Sequence, residues 1–198
     1  MRYLKAAVFA VFVSFFLLPQ AARAANYAID ADHTSVTFKV RHLLSWVAGS
    51  FKAFDGVFVY DPADPQSWTV NMTIQAESID TNVAARDKHL KSKDFFETET
   101  YPVLTFQSTK VTDVTEQGFK LEGDLTIHGV TKPVVFDVTT LGEIKDPWGN
   151  EIAGFTAVTK INRGDFGLTW SKTVETGQLL VGEEIEITLE VAGLKEAA

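Results

Sequence analysis

The chain has 198 residues, 45% hydrophobic and 12% aromatic, with 18 Lys and Arg against 26 Asp and Glu and no cysteine. Without cysteine there is no disulfide framework and no thiol nucleophile, and any metal site is left to His, Asp and Glu. Three of the 18 basic residues (Arg2, Lys5 and Arg23) lie in the first 24 positions, which hold no acid, so residues 25–198 carry 15 basic against 26 acidic side chains, a formal charge of −11; like charges repel over a Debye length of about 8 Å at physiological salt, which argues against nucleic acid and anionic headgroups as partners.

Arg2 and Lys5 precede the apolar run 6–18, Pro19-Gln20 breaks it, and Ala22-Arg23-Ala24 places small residues at cleavage positions. This is the layout of a secretory signal peptide. As a helix the run would span only about 20 Å of a hydrocarbon core roughly 30 Å thick, too short for an anchor. The expectation is a signal peptide over 1–24, then one exported, periplasm-type domain over 25–198.

From residue 25 onward the dominant period is two. Ile185, Ile187, Leu189 and Val191 alternate with Glu184, Glu186, Thr188 and Glu190, the mark of a strand with one dry and one wet face. Similar stretches occur at 35–41, 49–60, 70–76, 102–111, 119–127, 132–144 and 151–162, about eight strands in all. Turn signals separate them, among them Asp61-Pro62, Gln117-Gly118, His128-Gly129 and Asp146-Pro147-Trp148-Gly149-Asn150. Only 83–90 reads as a helix, with Thr81 or Asn82 as its cap. The fold class is therefore all-β: an eight-stranded antiparallel barrel with one short helix, since closure removes exposed edges; a two-sheet sandwich is the alternative. A membrane-spanning barrel needs an apolar outside, and here the second face carries Glu184, Glu186, Glu190, Lys120, Glu122 and Asp124.

No catalytic pattern accompanies the strands. His33, His42, His89 and His128 form no metal-binding spacing, there is no Gly-x-Ser-x-Gly elbow, and no glycine loop runs from a strand into a helix. No cofactor and no metal is expected. The feature that stands out is aromatic: eleven phenylalanines lie beyond residue 24. Phe38 and Val40 share one strand face with Val36, and Phe106 shares one with Leu104. The segment 86–93 is the most basic of the acidic body, with Arg86, Lys88, Lys91 and Lys93 against Asp87 alone.

Several blocks, in order, resemble one family. Asp32-His33-Thr34-Ser35-Val36 leads into Phe38-Lys39-Val40-Arg41-His42-Leu43; Arg86-Asp87-Lys88-His89-Leu90 is followed by Asp94-Phe95-Phe96; Tyr101-Pro102-Val103-Leu104-Thr105-Phe106 comes next; then Gly123-Asp124-Leu125-Thr126-Ile127-His128-Gly129 and Asn162-Arg163-Gly164-Asp165-Phe166-Gly167-Leu168. Over essentially all of 25–198 the chain is similar to the YceI-like family of polyisoprenoid-binding periplasmic proteins. The resemblance implies a lipocalin-like barrel holding a long-chain lipid of polyprenyl or fatty acid or amide type, and pairing of two chains as a homodimer. On that basis Phe38, Val40, Phe51, Leu90, Phe95 and Phe96 are expected to line the cavity, together with Leu104, Phe106, Phe136, Phe155 and Phe166. His42, Arg86 and His89 are expected at its mouth, meeting a phosphate or carboxylate headgroup; the alternative is that Arg86 and Asp87 are structural, pairing locally or tying the helix to a strand, with the lysines a solvated face. The expected function is a carrier rather than an enzyme. The alternatives are an enzyme modifying such a lipid, with His42 or His89 as acid or base, and a structural envelope protein with a filled interior.

Overall fold

The computed structural model describes residues 24–173 and 179–197; apart from Ala24, the expected signal peptide lies outside them. In chain order the elements are β1 (Ala25–Ile29), β2 (Ser35–His42), β3 (Ser45–Phe51), β4 (Phe54–Tyr60), β5 (Thr69–Gln75), β6 (Ile79–Asp80), α1 (Ala84–Leu90), β7 (Val103–Thr112), β8 (Gly118–Ile127), β9 (Val130–Lys145), β10 (Glu151–Asn162) and β11 (Val181–Lys195). Eight of these strands close a ring, in the order β1, β4, β5, β7, β8, β9, β10, β11 and back to β1.

Three strands, β2, β3 and β6, prolong the ring at one end. Along β11 the pairing runs from Tyr27↔Lys195 to Ile29↔Gly193 in β1, then from Ser35↔Glu190 to Val181↔His42 in β2. The two are one long strand interrupted at 30–34. Thr34 Oγ1 bridges the interruption, lying 3.1 Å from Ala192 N and 3.2 Å from Ala192 O. In the same way β3 and β4 are parted by residues 52 and 53, and β5 and β6 by a 3₁₀ turn at Ala76–Ser78. The result is eight long antiparallel strands in an up-and-down barrel, as the alternation implied.

Strand alternation sorts the side chains. On β11, Ile185, Ile187, Leu189 and Val191 face inward, while Glu184 and Glu186 face out and pair with Lys160 at 2.9 and 3.0 Å, Glu186 also with Lys39 at 2.8 Å. Bulky rings fit inside because glycines stand beside them. Phe38 pairs across the ladder with Gly49, where a Cβ would fall 2.4 Å from the Phe38 ring.

One end of the barrel, called lower here, holds the 61–68, 113–117 and 146–150 connections and is closed by aromatic stacking. Trp68 lies 4.7 Å from Tyr60 and 4.8 Å from Phe119, and Tyr60 lies 5.1 Å from Phe155. Beside them Tyr27, 1% exposed, donates its hydroxyl to Glu143 at 2.5 Å, and its pKa is pushed up by burial and then by that carboxylate. At the upper end the β5–β7 ladder stops at Gln75↔Val103. Beyond it β6 pairs only with β3, and the segment 81–102, which contains α1, fills the space between β6 and β7.

Three local expectations need correction. β1 carries too short an alternation to stand out in the sequence. β3 begins at Ser45 rather than 49, which puts Trp46 in a strand. Neither Thr81 nor Asn82 caps α1: the cap position is Val83, without a side-chain bond, because the Thr81 hydroxyl donates to Asp87 Oδ1 and accepts from Arg86 Nε, and Asn82 takes a left-handed φ of 61°.

Candidate functional site

The barrel encloses a cavity of about 210 Å³. Its wall is made of inward residues from the strands and is capped above by residues of the 81–102 and 163–168 segments. Phe38 and Val40 reach it from β2, Phe51 from β3, Leu104 and Phe106 from β7, Phe136 from β9 and Phe155 from β10. Leu90 enters from the last turn of α1, Phe95 and Phe96 from the turns after it, and Phe166 from the 3₁₀ turn that follows β10. All eleven side chains expected on the lining are thus on the wall. Phe51 meets Phe96 edge-on at 5.8 Å, which joins the cap to β3. The sequence reading missed the aromatic floor of Tyr60, Trp68 and Phe119.

His42, Arg86 and His89 do not come together at the cavity; none is on its wall. His42 ends β2, paired with Ser45 and Val181. Arg86 is spent on the fold: Nε donates to Thr81 Oγ1 at 2.7 Å and Nη2 to the Thr81 carbonyl at 2.9 Å, while Asp87 Oδ1 accepts from the Thr81 amide at 2.9 Å. This network ties the start of α1 to the end of β6. His89 bonds Asp94 at 2.8 Å and lies edge-on to Phe95 and Trp170 at 5.0 and 5.1 Å. It sits behind Phe95, not in front of it.

Among the described residues the wall has one charged member, Arg163, 5% exposed. It stands in the 3₁₀ turn after β10, where the Asn162 side chain accepts from Gly164 N at 2.8 Å and sets the turn. Its Nε donates to Gly182 O at 2.8 Å, Nη1 to Trp170 O at 2.8 Å and to Leu168 O, and Nη2 to Val181 O at 3.3 Å. Burial pushes its pKa down, and Glu183 opposes this. Four of its five N–H donors are used, and one on Nη2 is left over. No carboxylate lies within 4 Å of it among the described residues, so the charge is held by carbonyl dipoles alone. The local sequence shows only an arginine in a turn; its acceptors come from residues 168–182 and have no pattern of their own. Also among the described residues, no three His, Asp or Glu stand close enough together to hold a metal ion.

Known proteins share this arrangement. The YceI-like domain matches residues 27–192. The protein YceI of Escherichia coli O157:H7 is 40% identical over 188 residues, 93% of this chain and 95% of the relative. The crystal structure of the Campylobacter jejuni YCEI protein superposes with a TM-score of 0.70 at 33% identity, covering 79% of this chain and 90% of that one. A polyisoprenoid binding domain from Saccharophagus degradans shares the fold at a TM-score of 0.58 and 16% identity, covering 88% of this chain and all of that one. With the family model matching residues 27–192 and a relative 40% identical over nearly the whole length, the chain belongs to the YceI-like family.

Proposed function

We propose that the protein is an exported carrier, working in the periplasm, that holds the chain of an isoprenoid or acyl lipid inside its barrel. The observation that carries the reading is the cavity itself: inside the barrel, about 210 Å³, and walled by hydrocarbon and aromatic side chains with one buried cation. That volume is below the roughly 300–1,000 Å³ usual for small-molecule sites, so the barrel takes in a short length of chain. Burial of one five-carbon unit is worth about 3–4 kcal/mol gross, so two or three units reach micromolar affinity after the cost of association. The leftover N–H of Arg163 gives the polar end of the ligand, a carboxylate, phosphate or carbonyl oxygen, a partner at the upper end. The domain named for polyisoprenoid binding shares this fold, which supports the ligand class, and the residues 1–24 support export.

The test is native mass spectrometry of protein taken from its own cell envelope, followed by solvent extraction. An intact long-chain lipid is expected. Ala157→Trp, which puts an indole into the cavity from β10, is expected to reduce uptake of added long-chain lipid by about 10-fold or more. A protein that carries no lipid and takes up none, or an Ala157→Trp variant that binds undiminished, overturns the reading.

A further inference from the structure

The turn between β2 and β3 runs against ordinary turn chemistry. His42 pairs with Ser45, so Leu43 and Leu44 make the whole turn. Leu43 has a φ of 50°, at the first position of a two-residue hairpin where glycine is normally found, because a Cβ is strained there. Leu44 is not repaid by burial, and Leu43 only in part. Leu44 is 92% exposed and Leu43 38%. Next along the ladder Trp46, 44% exposed, faces Arg41; the guanidinium lies 4.2 Å from the indole centroid and the Lys39 nitrogen 5.4 Å. Among the described residues Leu44 has no role in the packing of the barrel and Leu43 only a partial one, and an aromatic ring and two cations stand behind this strained apex.

The charge around them is as distinctive. Residues 33–54 contain no acid, but carry Lys39, Arg41 and Lys52 with His33 and His42. Of the acids on the adjoining start of β11, Glu184 and Glu186 are bound by Lys160, and Glu186 also by Lys39; Glu183 has no cation within 4 Å among the described residues. The charge of −11 argues against adsorption of the barrel wall, but beyond about 8 Å it is screened from the tip.

We propose that this hairpin docks the protein on a bilayer that contains anionic lipid. Leu43 and Leu44 enter the acyl region, Trp46 lies at headgroup level, and Arg41 meets the phosphates, the layering that membrane interfaces favour. The tip is at the upper end. Leu43 N donates to Leu180 O at 3.2 Å, next to Val181 and Gly182, whose carbonyls hold Arg163. Docking therefore sets the cap of the cavity against the lipid. Trp148, 85% exposed, marks the opposite end, but Glu143, Asp146 and Glu151 flank it, which would repel the same surface. The docking does not depend on what the cavity holds.

The test uses the chain from Ala25 onward, the part that closes the ring, so that the apolar run 6–18 contributes nothing. It is sedimented with vesicles of phosphatidylethanolamine and phosphatidylglycerol, and with vesicles of phosphatidylcholine alone. Binding to the anionic vesicles that weakens with salt is expected. Leu43→Gly with Leu44→Ser is expected to lower that binding by about 10-fold or more, while raising the melting temperature, since glycine relieves the turn; the loss then cannot be unfolding. Trp148→Ser is expected to bind as the parent does. Absence of binding by the parent, or undiminished binding by the tip variant, overturns the proposal. So does a tip variant that converts a dimer to a monomer while the parent ignores vesicles, which would assign the leucines to a second copy of the chain.

Discussion

Replacing Arg163 by methionine keeps the apolar stem and removes the guanidinium from four carbonyls, those of Leu168, Trp170, Val181 and Gly182. Three of these contacts are close and one, at 3.3 Å, is long. A hydrogen bond from a charged donor is worth about 1.5–3 kcal/mol net of desolvation, so three close ones would sum to about 5–9 kcal/mol if they were additive. Bonds that share one group are not additive, which brings the sum down. The expected loss of folding free energy is about 3–4 kcal/mol, a large share of the 5–15 kcal/mol typical of a domain. With a urea slope of about 2 kcal/mol per molar, the unfolding midpoint drops by about 1.5–2 M. Arg163→Lys fares better but does not rescue, at about 2 kcal/mol, because a compact ammonium cannot span acceptors spread over residues 168–182. Urea titration measures the size of the effect, and hydrogen exchange its place: the amides of Leu168 and Leu180, bonded to Arg163 O and Lys172 O, should lose protection before those of β8 and β9. A methionine variant within about 1 kcal/mol of the parent would refute the view that this arginine holds the cap.

Gly49→Ala puts a Cβ 2.4 Å from the Phe38 ring and 2.9 Å from Thr81 Cγ2, so the ring must swing inward; a loss of about 1–3 kcal/mol by thermal unfolding is expected, together with weaker lipid uptake. Tyr27→Phe deletes the bond to Glu143, whose carboxylate is exposed and regains water, so a loss of only about 1 kcal/mol is expected in the same measurement. Acid should weaken the fold. Asp30 is held below its usual value chiefly by His33, Glu77 by Lys91 and Thr98, Glu151 by Lys195, and Glu186 by Lys39 and Lys160. A carboxylate with a lowered folded-state pKa stabilises above its unfolded value and loses that contribution as pH falls through the folded one. The melting temperature should hold on the neutral side and fall once the pH drops below the ordinary 4.5 of Glu and 3.8 of Asp. A profile that is flat to lower pH would show that these pairs add nothing.

Much of the barrel was legible because burial imposes a period on the residues. Ile185, Ile187, Leu189 and Val191 alternate with glutamates for the plain reason that one set faces the cavity and the other faces lysines across the outer ladder. β1 escaped because five residues with Tyr27 and Ile29 do not make a period. Alternation also says which side is inward but not whether the inside is full, and here the eleven aromatic and aliphatic residues tied to the family resemblance located the wall. The polar residues were harder. Arg86 and His89 could be read either as a headgroup site or as part of the structure, and Thr81 and Asp94 claim them locally. Arg163 read as part of a motif, and its role follows from carbonyls brought back by the return of the chain into β11. Charge in a sequence shows what a residue can offer, and only the fold shows what has already taken it.

The gap between β6 and β7 bears on how the barrel exchanges its contents. From Asn82 to Tyr101, every backbone-to-backbone hydrogen bond the segment makes is to itself; at its root Asn82 N donates to Asp80 and Arg86 and Asp87 hold Thr81, and farther along its polar ties to the barrel run through side chains, Lys91 and Thr98 to Glu77 and Glu97 to His128. Lifting this flap therefore breaks apolar contacts of Leu90, Phe95 and Phe96 and a few exchangeable ion pairs, but no rung of the ladder. The remaining walls are hydrogen-bonded strand to strand, except that the β9–β10 ladder stops at Val158↔Asp137, beyond which Thr159 Oγ1 donates to Val135 O. Opening at this seam would leave the ring of eight strands intact, so its cost is set by the contacts of the flap and not by global unfolding.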